Sequence, residues 1–123
     1  MTVAPEADAP VIQVVDTADE ITALDLEGEF DISAAPAIME HAKQALGAGK
    51  HLIVNLSGAT FIDSSTIHAL FTADAAAKEA GRTFILQFGT RASVKRVLAI
   101  TGADKALRIA RTREDAIRLI LGA

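Results

Sequence analysis

Residues 53–70 read IVNLSGATFIDSSTIHAL, and the fold turns on where this stretch changes character. Its first part completes the apolar run HLIVNL (51–56), flanked by turn residues as expected of a strand covered on both faces. From Ser64 onward, Ile67, Leu70, Phe71 and Ala77 recur at helical spacing, and Gly81 stands where a C-cap glycine belongs. Between strand and helix lie one acid and two hydroxyls, Asp63-Ser64-Ser65. An exposed helix start leaves up to four amide donors unpaired. All three side chains can accept from them, a cap worth about 0.5–2 kcal/mol. The same place also suits a switch. A phosphoryl group on Ser64 would sit beside unpaired N–H groups at the positive end of the helix dipole, bringing roughly -1.5 to -2 charges to the surface. Cap and switch are both open on local grounds.

Strand and helix patterns alternate through the rest of the chain. VIQVV (11–15) and ITALDLEG (21–28), separated by polar residues 16–20, predict an antiparallel hairpin whose second strand ends at Gly28. After Ser33, AAPAIMEHAKQALGAG predicts a helix with Pro36 in its first turn, Ile38, Ala42, Ala45 and Leu46 on one stripe, and Gly47 and Gly49 as its stop. TFILQF (83–88) reads as a strand and RASVKRVLAITG (91–102) as a helix, with Val94, Val97 and Leu98 inward and Gly102 as terminator. ALRIA (106–110) predicts a short strand, and REDAIRLIL (113–121) a closing amphipathic helix. Such close alternation points to a single α/β layer over residues 11–121, preceded by a flexible tail at 1–10.

A chain of 123 residues with 50% hydrophobic and 23% charged side chains has the material for one real core. With 0 cysteines, a disulfide scaffold or thiol nucleophile is excluded. No apolar run approaches the roughly 20 residues of a membrane span. MTVAPEADAP lacks the basic start and apolar centre of a secretory signal, so a cytoplasmic protein is expected, with no membrane partner. The net charge of -4 is unevenly spread: residues 1–61 hold two basic and ten acidic residues, and residues 62–123 ten basic and six acidic. The cations are scattered without Tyr or Trp between them, which argues against nucleic-acid binding. His41, His51 and His68 lack metal-ligand spacing, so neither metal nor cofactor is expected. Ser64 and His68 are four apart and could meet on a helix. A nucleophile and base would also need an orienting acid and an oxyanion loop, and neither is evident, so the chain is not read as an enzyme.

IVNLSGATFIDSSTIHAL resembles the third-strand and second-helix segment of STAS domains of the anti-sigma factor antagonist (anti-anti-sigma factor) family. In these domains an apolar strand enters an Asp-Ser-Ser/Thr-Gly loop and then a helix. LEGEFDISAAP (26–36) resembles the family's Gly-Glu-Leu-Asp turn, and SVKRVLAITGADKALRIARTREDAI its closing helix, turn, strand and helix. The similarity runs from about residue 11 to 121.

The resemblance implies a four- to five-stranded mixed sheet with helices packed mainly on one face. It also implies a protein-binding switch: the unphosphorylated antagonist sequesters an anti-sigma factor, a serine kinase of the histidine-kinase-like ATPase type. Phosphorylation of the serine after the Asp, here Ser64, releases it, and a PP2C-type phosphatase resets the system. By position Asp63 would support kinase docking or orient the loop, and Asp31 would lie on the same surface. Ser65, Thr66 and His68 complete the implied partner surface. Thr66 stands where the family has glycine. A β-branched residue is bulkier and stiffer there, so phosphorylation of Ser64 is expected to be slow and restored by Thr66→Gly. The alternative is a STAS scaffold that is never phosphorylated, or a small-ligand or nucleotide sensor. The oligomeric state is open.

Overall fold

The apolar runs in the middle of the sequence become the middle of a five-stranded sheet. A computed structural model describes residues 9–17 and 20–122, so residues 1–8 of the expected tail lie outside the described residues. The elements are β1 (Val11–Asp16), β2 (Ile21–Phe30), α1 (Ala35–Gly47), β3 (His51–Ile62), α2 (Ser64–Glu79), β4 (Phe84–Gln87), α3 (Ala92–Thr101), α4 (Ala103–Ala106), β5 (Ile109–Ala110) and α5 (Arg113–Leu121). Strand order is β1-β2-β3-β4-β5. β1 and β2 form the expected antiparallel hairpin, and β2 through β5 run parallel.

Every parallel connection steps one strand in the same direction. Right-handed crossovers therefore put α1, α2 and α3 on one face. There Leu24, Phe30, Val54 and Leu86 pack against Ile38, Leu70 and Leu98. Ala69, Ala73 and Ala77 are the buried small residues of α2, short enough to let the helix lie close to its neighbours. The opposite face is covered by α5, whose Ala116, Ile117 and Ile120 meet Ile21, Ala23, Ile53 and Ile85. Where that apolar patch ends, Asp25, Asn55 and Gln87 stand in register across β2, β3 and β4. Arg113, the first residue of α5, closes this polar row with an ion pair to Asp25 and a 3.3 Å bond to Gln87.

Two expectations about strand length are corrected. β2 does not end at Gly28 but runs on to Phe30, and β3 runs to Ile62 rather than stopping at Leu56. The glycines mark bulges, not ends. β3 gains one residue on β2 between Asn55 and Gly58 and another between Ala59 and Phe61, with Gly28 (φ +94°) opposite the second irregularity. A Cβ on Gly58 would stand 2.9 Å from Glu27 Cγ and 3.1 Å from the Leu26 carbonyl, so the strands approach closely only because it has none. These insertions bring Phe30 level with Ile62. The strand expected at 106–110 shrinks to Ile109–Ala110, because Ala103–Ala106 form a helical turn. Among the described residues no helix is long and apolar enough to cross a membrane.

Candidate functional site at two strand-to-helix corners

With Phe30 level with Ile62, the chain leaves the two neighbouring strands in step, at Asp31-Ile32-Ser33 and at Asp63-Ser64-Ser65. Each aspartate folds back on its own corner. Asp63 Oδ1 accepts from the Ser65 N–H at 3.0 Å and the Ser65 hydroxyl at 2.5 Å. Asp31 Oδ1 accepts from the Ser33 N–H at 3.0 Å and the Ser33 hydroxyl at 2.7 Å. Asp63 is also the N-cap of α2, taking the Thr66 N–H at 3.3 Å. At the other corner the Asp31 backbone carbonyl accepts from Ala34 and Ala35, and α1 starts without a side-chain cap. The Ser33 hydroxyl first, then the Ser33 amide, hold the exposed Asp31 carboxyl below its ordinary value.

The aspartate therefore caps, and the serine after it is presented. Ser64 is exposed as the first residue of α2, and none of the described residues hydrogen-bonds its hydroxyl. The unpaired amides expected around it are fewer than the sequence suggested, because Asp63 already holds those of Ser65 and Thr66. Ser65 is half-buried, and its hydroxyl is spent on Asp63. His68 is exposed one turn along α2. Among the described residues no hydrogen bond joins it to Ser64, and no group of three or more His, Cys, Asp or Glu is placed to hold a metal.

Thr66 departs from its expected place on the partner surface. It is fully buried, and its hydroxyl donates to the Phe30 carbonyl at 2.9 Å. Its bulk faces the protein's own core side, so the steric argument for slow phosphorylation at Ser64 fails. Phe71 is likewise only half-buried at the edge of the stripe, whereas Thr66, Ala69 and Ala73 share the inner face with Ile67 and Leu70.

Between the corners lies an open, mostly apolar groove of about 470 Å³, lined by Ile32, Pro36, Met39, Ser64, Ser65 and His68 among others. Ile32 is 76% exposed where it lines that groove. The sequence reading missed it. Aligning FDIS (30–33) with IDSS (62–65) would have found it, since Ile32 then falls on Ser64.

A mixed sheet with α1–α3 on one face carries a capped serine corner beside a second acidic corner. Comparison places it: the STAS domain signature matches residues 13–116, and the chain belongs to the STAS domain family. Among solved structures, an anti-sigma factor antagonist from Mycobacterium paratuberculosis is similar, with a TM-score of 0.81, 22% identity, and coverage of 97% of this chain and 98% of that one. The anti-sigma factor antagonist SpoIIAA in its unphosphorylated form matches at 0.77 and 23% identity, covering 92% and 98%. The phosphorylated form of the Bacillus cell fate determinant SpoIIAA matches at 0.68 and 22% identity, covering 89% and 99%. At these identities the likeness is one of fold. No curated protein matches the chain in sequence.

Proposed function

We propose that this STAS domain is an anti-sigma factor antagonist. In this reading it sequesters an anti-sigma factor, a serine kinase of the histidine-kinase-like ATPase type, while Ser64 is unmodified. Phosphorylation of Ser64 releases the partner, and a PP2C-type phosphatase restores binding. The observation that carries the reading is the exposed Ser64 hydroxyl, free of hydrogen bonds to the described residues on the rim of an apolar groove. A partner seated in that groove covers Ser64. A phosphoryl group adds roughly -1.5 to -2 charges beside Asp63. The isolated domain keeps that charge in water, whereas the complex must bury it next to a like charge, so the modification weakens docking without unfolding the domain. That the SpoIIAA fold exists in both unphosphorylated and phosphorylated forms supports a switch without refolding.

The test is capture from the native host with Ser64→Ala as bait, followed by affinity measurement on the ATPase recovered. Ser64→Ala is expected to bind within about threefold of wild type. Ser64→Glu should lose on the order of 100-fold, the scale of like charges forced together at an interface. Equal affinity for the three proteins leaves the unphosphorylated scaffold as the reading. Incubation with the recovered kinase and ATP should place one phosphate, at Ser64, by mass spectrometry.

A further inference from the structure

Thr66 is the one direct hydrogen-bonded tie between the two corners among the side-chain bonds described: a buried hydroxyl on α2 donating 2.9 Å to the carbonyl of Phe30, the last residue of β2. A glycine, the residue the family resemblance leads one to expect, offers no such tie. We infer that Thr66 is a positioning residue that transmits the charge state of Ser64 to the Asp31 corner, so that Ile32 is displaced when Ser64 becomes an anion. The inference rests on Ser64 as the modified residue and adds to it a route by which modification reaches the second half of the docking groove.

Each link is a contact already described. A dianion on Ser64 stands next in sequence to the Asp63 carboxylate, which holds the Ser65 amide, the Ser65 hydroxyl and the Thr66 amide. The two anions repel each other and compete for the same amides, since both are served by the one helix start. Relief requires the cap to loosen and the first turn of α2 to reseat, and Thr66 sits in that turn. Its hydroxyl has one proton, committed to Phe30. A shift of the turn therefore pulls on the peptide joining Phe30 to Asp31. The Asp31 corner is stiffened by its own bonds to Ser33, Ala34 and Ala35, so it moves as a unit and carries Ile32 with it.

The experiment needs no partner. Amide spectra of ¹⁵N-labelled full-length protein are recorded for wild type and Ser64→Asp, then for the same pair in Thr66→Val and Thr66→Ser backgrounds. Ser64→Asp is expected to shift the amides of Ile32, Ser33 and Ala34 in wild type. In the Thr66→Val background those shifts should fall at least twofold, while shifts at Ser65 and Ile67 persist. Thr66→Ser, which keeps the hydroxyl, should restore them. Undiminished shifts at residues 32–34 in the Thr66→Val background overturn the inference, as does a lack of shift there in wild type. Should Thr66→Val not fold, Thr66→Ala carries the same comparison. The Phe30 carbonyl ¹³C resonance gives a check that leaves residue 66 untouched: it must move between wild type and Ser64→Asp. Failure of the functional reading looks different, because Ser64→Glu would then leave partner affinity intact whatever the spectra show.

Discussion

The Asp31 and Asp63 corners share a hydrogen-bond plan and differ at the residue between the aspartate and the serine. In both, Oδ1 clasps the N–H and hydroxyl of a serine two residues on. One corner holds out Ile32, an apolar side chain, and the other Ser64, an exposed hydroxyl. They differ also in what the clasp supports. Asp63 caps a 16-residue helix directly, whereas α1 begins four residues after Asp31. The same local chemistry thus presents an apolar side chain at one corner and, in the proposed function, a modifiable gate at the other.

The comparison can be broken in several places, and the largest effect is expected in the floor beneath both corners. Phe30 is fully buried and ends the strand that leads into the first. Phe30→Ala should cost about 3–5 kcal/mol, read from urea denaturation, with Phe71→Ala clearly below it because that ring is only half-buried. Reversal of that order would mean that the core is centred elsewhere. Next comes the anchor. Ile32→Ala should weaken partner binding about tenfold or more, as for an apolar anchor at an interface centre, while leaving the denaturation midpoint unchanged. A normal affinity would remove the Asp31 corner from the docking surface.

The clasps themselves come third. Asp63→Ala should cost about 0.5–2 kcal/mol through loss of the α2 cap, and Asp31→Ala less, since its carboxylate caps no helix. Equal losses would erase the distinction drawn between the corners. The smallest effect is a titration. A carboxyl held below its unfolded value stabilises the fold above that value and loses the contribution as pH falls through its folded value. The Asp31 clasp should therefore open only under about pH 3.9, the ordinary carboxyl value. The Asp31 side-chain ¹³C signal checks this, and a midpoint above that of a model peptide would contradict the assigned Ser33 bonds.

Much of this was legible in the residues. Helical spacing from Ser64, with Gly81 beyond the last turn, located α2, and the amphipathic pattern from Arg113 located α5. The bulges were not legible. Gly28 and Ser57-Gly58 read as strand ends because glycine has the same signature at a terminus and at an irregularity within a paired strand, and pairing is a non-local property. α4 was missed because four residues are too few to show a period. At the site, Asp63 and Ser64 were legible from the strand-acid-hydroxyl-helix order. The inward turn of Thr66 was not, since a threonine in the first turn can face either way until the neighbouring strand supplies a carbonyl.

The strands lie side by side in the order in which they are made. That same ordering has a consequence for synthesis. Each strand after the first finds its partner in the one made just before it, while the sheet face over Ile21, Ala23 and Ile53 stays open until α5, the last element described, is made.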